Sequence, residues 1–90
     1  MGEVIALIRV MPGEVLSDEQ LQKIIDDVRV AIKPPVKLGK VEVKNIAFGL
    51  KGLNVTVAVP DREGGLDPVV ETLSKIKNVE SVEITDVGRL

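Results

Sequence analysis

The alternation of apolar and polar residues from Leu53 to Val59 most constrains what this chain can fold into. Leucine or valine stands at every second position, and Asn54, Thr56 and Ala58 lie between them. A period of two is the pattern of a β-strand with one buried face. Such a strand needs neighbouring strands at its sides and a second layer over its apolar face.

The stretch before this strand predicts its hairpin partner. Residues 39–47 form a second strand, in which Val41 and Val43 face one way and Glu42 and Lys44 face the other. Since the two strands are joined by only a few residues, they are expected to pair side by side and antiparallel.

The turn of this hairpin is predicted at Gly49–Gly52, directly after Phe48, the only aromatic residue of the chain. Glycine is the usual residue of tight turns because it adopts positive φ without steric cost. Two interpretations of Phe48 are open at this point. Its ring plugs the core beneath the hairpin, or it lies on a surface that meets a partner.

A first helix is predicted ahead of the hairpin. It begins after Ser17, whose spacing to Gln20 is that of a capping box. It ends at Pro34-Pro35, because proline has no backbone N–H to donate. Its apolar stripe recurs with the helical period: Leu21, Ile24, Ile25, Val28 and Ile32.

A second helix and two outer strands complete the pattern. After a polar loop at 61–65, Asp67 is predicted to cap the helix with Pro68 at its first position. The buried stripe of this helix is Val69, Val70, Leu73 and Ile76. The outer strands are predicted at Glu3–Val10 and Val79–Val87.

The predicted order of elements is therefore β-α-β-β-α-β, in a single domain over residues 1–90. Right-handed crossovers of this order give an α+β ferredoxin-like sandwich, a four-stranded antiparallel sheet with both helices on one face. The fold by itself does not give the function, because unrelated activities share it.

Composition excludes several kinds of chemistry. The chain has no cysteine and no histidine, so disulfides, thiolate metal sites and Ser-His or Cys-His pairs are ruled out. No apolar run approaches the ~20 residues of a membrane span, and no signal peptide is visible, so we expect a cytoplasmic protein without a membrane partner. No metal or cofactor motif is found, and no catalytic residue is predicted.

Charge is unevenly distributed along the chain. Five lysines and one glutamate between residues 33 and 51 give this segment a charge of +4, whereas the segments on either side are each −3. A basic belt between acidic flanks steers a charged partner or solvates an exposed strand. Direct nucleic-acid binding is not expected, because the sheet lacks stacking aromatics and the pI is near 5.1.

Two alternatives to a protein-binding role are open. Pro12-Gly13 stands at the junction of the first strand and the first helix, where regulatory amino-acid-binding domains of this topology carry the same dipeptide. This suggests a small-molecule-sensing domain that dimerises through its sheet. A hydrolase that uses Arg9 or Asn45 is the weaker alternative, because the phosphate-cradling loop of the small acylphosphatases is missing.

The hairpin sequence IAFGLKGL at residues 46–53, with VAVPD at 57–61 and VESVEI at 79–84, resembles the beta subunit family of translation elongation factor 1 in its short archaeal form. The resemblance covers essentially the whole chain. It implies a guanine-nucleotide exchange factor that has the ferredoxin-like fold and acts on the elongation factor 1 alpha GTPase.

The resemblance also implies which residues meet the GTPase. Arg89, followed by Leu90, takes the position of the basic side chain that reaches toward the GTPase's magnesium, where longer members have lysine. Val43 stands where longer members have an aromatic residue. Within the hairpin, the partner-binding residues are predicted to be Phe48, Gly49 and Lys51.

Overall fold

A computed structural model describes residues 2–33, 36–60 and 65–89. Its elements are β1 (Glu3–Pro12), α1 (Asp18–Ala31), β2 (Lys37–Ala47), β3 (Leu50–Pro60), α2 (Asp67–Ser74) and β4 (Val79–Arg89). The predicted order is confirmed, and each strand is longer than its sequence pattern indicated. The predictions for Pro34-Pro35 and for residues 61–64 lie outside the described residues, as does that for Leu90.

The four strands form one antiparallel sheet in the order β2-β3-β1-β4. At one end of the sheet Val4 of β1 pairs with Val59 of β3, and toward the other end Val10 pairs with Leu53. This arrangement confirms the ferredoxin-like sandwich.

The core lies between the sheet and the two helices. The alternating residues of β3 are buried as predicted, and β1 contributes Ala6, Ile8 and Val10 beside them. The helices cover this face with their predicted stripes, through Leu21, Ile24 and Val28 of α1 and Val69 and Leu73 of α2. Since the helices lie on one side only, the other face of the sheet is left open.

The capping box of α1 forms as its sequence predicts. The backbone N–H of Gln20 donates to Ser17 Oγ at 3.2 Å, and the backbone N–H of Ser17 donates to Gln20 Oε1 at 2.9 Å. Two backbone donors that the helix itself leaves unpaired are thereby satisfied.

We expect Ser17→Ala to lower the free energy of unfolding by about 1 kcal/mol, because the backbone N–H of Gln20 loses the hydroxyl oxygen that accepts its hydrogen bond. For a domain of this size that loss corresponds to a melting temperature about 4–8 °C lower. Thermal unfolding followed by circular dichroism measures it, with Ser81→Ala on β4 as the exposed control. Equal melting temperatures for the two variants would contradict the role of the cap.

The prediction that Asp67 caps α2 is wrong. The N-cap residue is Leu66, and its side chain makes no capping hydrogen bond. Asp67 is already inside the helix, where its carboxylate places a negative charge in the first turn near the positive end of the helix dipole. Pro68 does lie at the start of α2, as predicted.

Candidate partner-binding site

The β2–β3 hairpin ends in a two-residue turn made by Phe48 and Gly49. Ala47 pairs directly with Leu50 across the turn, and φ is 54° at Phe48 and 81° at Gly49. Positive φ at both central residues is the signature of a type I′ turn, whose twist matches that of the two strands. The predicted turn at Gly49–Gly52 is therefore misplaced.

Gly52 is not a turn residue but a buried position within β3. A Cβ atom there would lie 2.7 Å from Met11 Sδ and 3.3 Å from the carbonyl oxygen of Val10. A side chain at Gly52 would displace the Met11 side chain and crowd the Val10 carbonyl, and glycine avoids both.

Phe48 is fully exposed, with 102% of its reference surface accessible. The interpretation that its ring plugs the core is therefore wrong. Phenylalanine is also a poor residue for the left-handed region, which costs about 1–2 kcal/mol for residues other than glycine, asparagine and aspartate. A large apolar ring held at the hairpin tip in an unfavourable backbone conformation is the kind of outlier that suggests a functional role.

Two further exposed apolar side chains, Val43 and Ile46, lie on β2 ahead of the turn. Val43 was predicted to face the same way as Val41, and its pairing with Leu53 places that face on the helix side of the sheet. Its side chain is nevertheless 45% exposed, because β2 is an edge strand. Ile46 is 42% exposed beside the irregularity between Asn45 and Ala47. Sequence reasoning missed Ile46, although its adjacency to Phe48 could have indicated it.

Lys51 lies near the tip of the hairpin, paired with Asn45, on the helix side of the sheet. Its Nζ is 3.6 Å from Asp18 Oδ1 at the start of α1. This exposed ion pair contributes little stability but ties the hairpin to the first turn of the helix. The hairpin residues of the predicted site, Val43 and Phe48 with Gly49 and Lys51, are thus brought to one end of the molecule.

The C-terminal end of β4 lies at the opposite end of the sheet. The backbone of Arg89 pairs with Val4 of β1, which also pairs with Val59 of β3. Leu50 and Val59 are nine residues apart along β3, which corresponds to about 30 Å at ~3.3 Å per residue. The longest dimension of the molecule is 42 Å. The predicted site residues therefore form two separate groups, and a partner that meets both must span at least this distance.

The lysines of β2 are partly neutralised by acidic neighbours. Glu42 Oε1 is 3.1 Å from Lys40 Nζ, and Glu42 Oε2 is 3.4 Å from Lys44 Nζ. Hydrogen bonds from Lys40 and then Lys44 lower the pKa of the Glu42 carboxyl. The amino group of Lys37 lies 3.7 Å from a Glu3 oxygen. The basic belt is thus a mixed-charge strand surface with a small positive excess.

The described residues offer little for small-molecule chemistry. An open depression of about 390 Å³ is lined by Gly13, Glu14, Asn78, Val79 and Glu80. No group of three acidic side chains close enough to hold a metal ion occurs within residues 2–33, 36–60 and 65–89. Neither described helix has the length and apolarity that a membrane crossing requires.

An exposed aromatic ring at a hairpin tip together with an open, shallow depression is typical of a protein-binding module and not of an enclosed small-molecule site. Similarity to known sequences shows which family of protein-binding modules this chain belongs to. Residues 5–90 match the EF-1 guanine nucleotide exchange domain, and the chain belongs to this family. Its role is guanine nucleotide exchange in translation elongation.

Relatives match the chain over nearly its full length. The elongation factor 1-beta of Methanocella arvoryzae is 45% identical over 89 residues, which cover 99% of this chain and 98% of that protein. The elongation factor 1-beta of Methanothermobacter thermautotrophicus is 42% identical over 90 residues, covering 100% and 99%. The resemblance found in the sequence is thereby confirmed.

A solved structure supports the fold alone. The ACT domain from the GTP pyrophosphokinase of Chlorobium tepidum is similar to this chain with a TM-score of 0.60 and 19% identity, covering 98% of this chain and 99% of that one. At this identity the similarity supports the β-α-β-β-α-β architecture. It gives no support to the small-molecule-sensing function that the Pro12-Gly13 junction suggested.

Proposed function

We propose that this chain accelerates GDP release from the elongation factor 1 alpha GTPase, in the cytoplasm, and acts by binding rather than by chemistry of its own. The observation that carries the proposal is family membership over residues 5–90. The absence of cysteine and histidine from the sequence fits a mechanism that needs no nucleophile or general base of this chain.

Arg89 is proposed to act on the nucleotide site of the GTPase. A cation brought near the bound Mg²⁺ and the phosphate-binding elements competes electrostatically with the metal, and a weaker hold on the metal releases GDP. The position of Arg89 as the last residue of β4, an edge strand of the sheet, supports this role. Leu90, the residue after it, is proposed to contact the same region of the GTPase.

The hairpin end is proposed as the second contact with the same GTPase. Phe48 supplies the apolar anchor, with Val43 and Lys51 at its side and Gly49 allowing the turn. Exposed aromatics that enter a pocket of the partner are typical energetic centres of protein interfaces. The separation of about 30 Å between hairpin tip and Arg89 fits a partner of several domains better than a small one.

We expect the purified chain to accelerate the release of fluorescent GDP from the alpha GTPase in the presence of excess GTP. Stopped-flow fluorescence measures the rate as a function of the concentration of the chain. The acceleration should saturate at micromolar concentrations, because exchange requires a complex of the two proteins. A folded sample that leaves the release rate at its intrinsic value up to saturating concentration would refute the proposal.

A further inference from the structure

Gly52 is buried although it lies on the open face of the sheet. Its neighbour Leu53 points into the core, and successive residues of a strand point to opposite faces. Two side chains lie over Gly52 and account for its burial. A Cβ atom placed there would be 2.7 Å from Met11 Sδ and 3.5 Å from Ile46 Cδ1. We refer to Met11, Gly52 and Ile46 as the Gly52 cluster.

The Gly52 cluster joins three strands at the point where the hairpin extends beyond β1. Its members come from β1, β3 and β2. The pairing of β1 with β3 ends at Val10 and Leu53, so the hairpin from Gly52 to its tip lies past the last pair of these two strands. Met11 therefore links β1 to the hairpin end by side-chain packing.

Each member of the cluster suits this packing. Gly52 has no side chain and so leaves the space that the Met11 sulfur occupies. Methionine is unbranched and flexible, and it fills gaps of irregular shape. Ile46 lies at the irregularity in the β2–β3 pairing between Asn45 and Ala47. A bulge of this kind re-aims a side chain, and here it brings the δ1 methyl of Ile46 toward Gly52.

The position of the Phe48 ring depends on what holds the hairpin end. Because the ring is fully exposed, it packs on none of the described residues, and the backbone of the hairpin sets its direction. On the helix side the hairpin end is held by the ion pair of Lys51 with Asp18, which water screens. The apolar packing of Met11 holds it on the open side.

We propose that Met11 is a positioning residue for the contact between this chain and the elongation GTPase. By packing on Gly52 and Ile46 it fixes the direction of the hairpin end, and so the place at which Phe48 meets the partner. This inference rests on the proposed function, which assigns Phe48 its partner. It assigns Met11 no contact with the GTPase.

The test measures Met11→Ala in the wild-type chain and in a Phe48→Asn background that lacks the ring. In the wild-type chain, Met11→Ala is expected to raise the half-maximal concentration for GDP release about 5-fold and to leave the plateau rate unchanged. In the Phe48→Asn background it should have an effect of less than about 1.5-fold. Residues that do not touch usually have additive effects, so this loss of effect indicates that Met11 acts through Phe48.

Ile25→Ala is the matched control, because it trims a half-buried aliphatic side chain of α1 away from the hairpin. It should stay within about 1.5-fold of its parent in both backgrounds. Melting temperatures verify folding. Where Met11→Ala does not fold, Ile46→Ala replaces it with the same two expectations, since that side chain is 42% exposed. A 5-fold effect in both backgrounds would overturn the inference, because Met11 would then act independently of the ring. No effect in the wild-type chain would overturn it as well.

Amide hydrogen exchange of the free chain tests the positioning without the GTPase. In Met11→Ala the amides of residues 45–51 are expected to exchange about 10-fold faster, and those of residues 53–59 to stay within about 3-fold of wild type. Unchanged exchange at residues 45–51 would overturn the inference even if GDP release were altered. If the wild-type chain does not accelerate GDP release, the proposed function fails by itself, and hydrogen exchange still decides whether Met11 holds the hairpin end.

Discussion

Arg89→Ala is expected to lower the maximal rate of GDP release about 10- to 100-fold and to leave thermal unfolding unchanged. A cation about 4 Å from a unit charge contributes roughly 1–4 kcal/mol, depending on how far water is excluded. A loss of 1.4–2.8 kcal/mol from the barrier corresponds to that range of rates. Stability is unaffected because Arg89 is the last residue of β4, at the edge of the sheet.

Two further variants make this experiment specific. Arg89→Lys keeps the charge and restores the residue of longer family members, so it should retain the rate within a few-fold. Arg29→Ala removes an exposed arginine from the last turn of α1 and should leave the maximal rate unchanged. The dependence of the GDP-release rate on the concentration of the chain separates an effect on exchange from an effect on affinity. An Arg89→Ala variant with a normal plateau rate and only a higher half-maximal concentration would mean that Arg89 anchors the complex and does not act on the nucleotide site.

The elements of the fold could be predicted because their signals are local. The alternation at 53–59, the capping box from Ser17 to Gln20 and the helical stripe of α1 each depend on residues a few positions apart. These signals identify the type of element and its order in the chain. The ends of the strands were less accurate, since pairing in the sheet extends β4 to Arg89 beyond the apolar pattern.

The turn of the hairpin was misplaced for a physical reason that no local pattern carries. Gly49 and Gly52 are equally good turn residues in sequence, and only the contact of Gly52 with Met11 and Val10 tells them apart. That contact joins residues about 40 positions apart. Phe48 was also ambiguous, since an aromatic beside glycine fits a buried plug as well as an exposed tip.

An open face was predicted, since both helices were expected on one side of the sheet, but the apolar row that β1 places on it was not. Ile5 and Leu7 alternate with Ala6 and Ile8, so the sequence pattern shows only that β1 is covered on at least one face. The register shows that helices cover only the face of Ala6 and Ile8. An apolar strand with one uncovered face is a signal for an interface, but it is visible only once the layers are known.

The second large effect is expected at the hairpin tip, where stability and binding should change in opposite directions. Asn-Gly is the preferred dipeptide of a type I′ turn, and asparagine tolerates the left-handed region that φ of 54° demands. Phe48→Asn is therefore expected to raise the free energy of unfolding by about 1 kcal/mol, or the melting temperature by about 4–8 °C. It also removes the ring proposed to anchor the partner, and a loss of about 2 kcal/mol of binding free energy corresponds to a roughly 30-fold weaker complex.

Thermal unfolding and the half-maximal concentration for GDP release measure the two effects in the same samples. Phe48→Tyr is the matched control, because it keeps an aromatic ring in the same unfavourable backbone conformation and should change neither quantity by more than a small amount. The plateau rate should stay normal in Phe48→Asn, since the tip lies about 30 Å from Arg89 along the sheet. A more stable variant with wild-type affinity would mean that the strained ring is retained for a purpose other than binding the GTPase. A less stable variant would mean that the ring contributes to the fold despite its exposure.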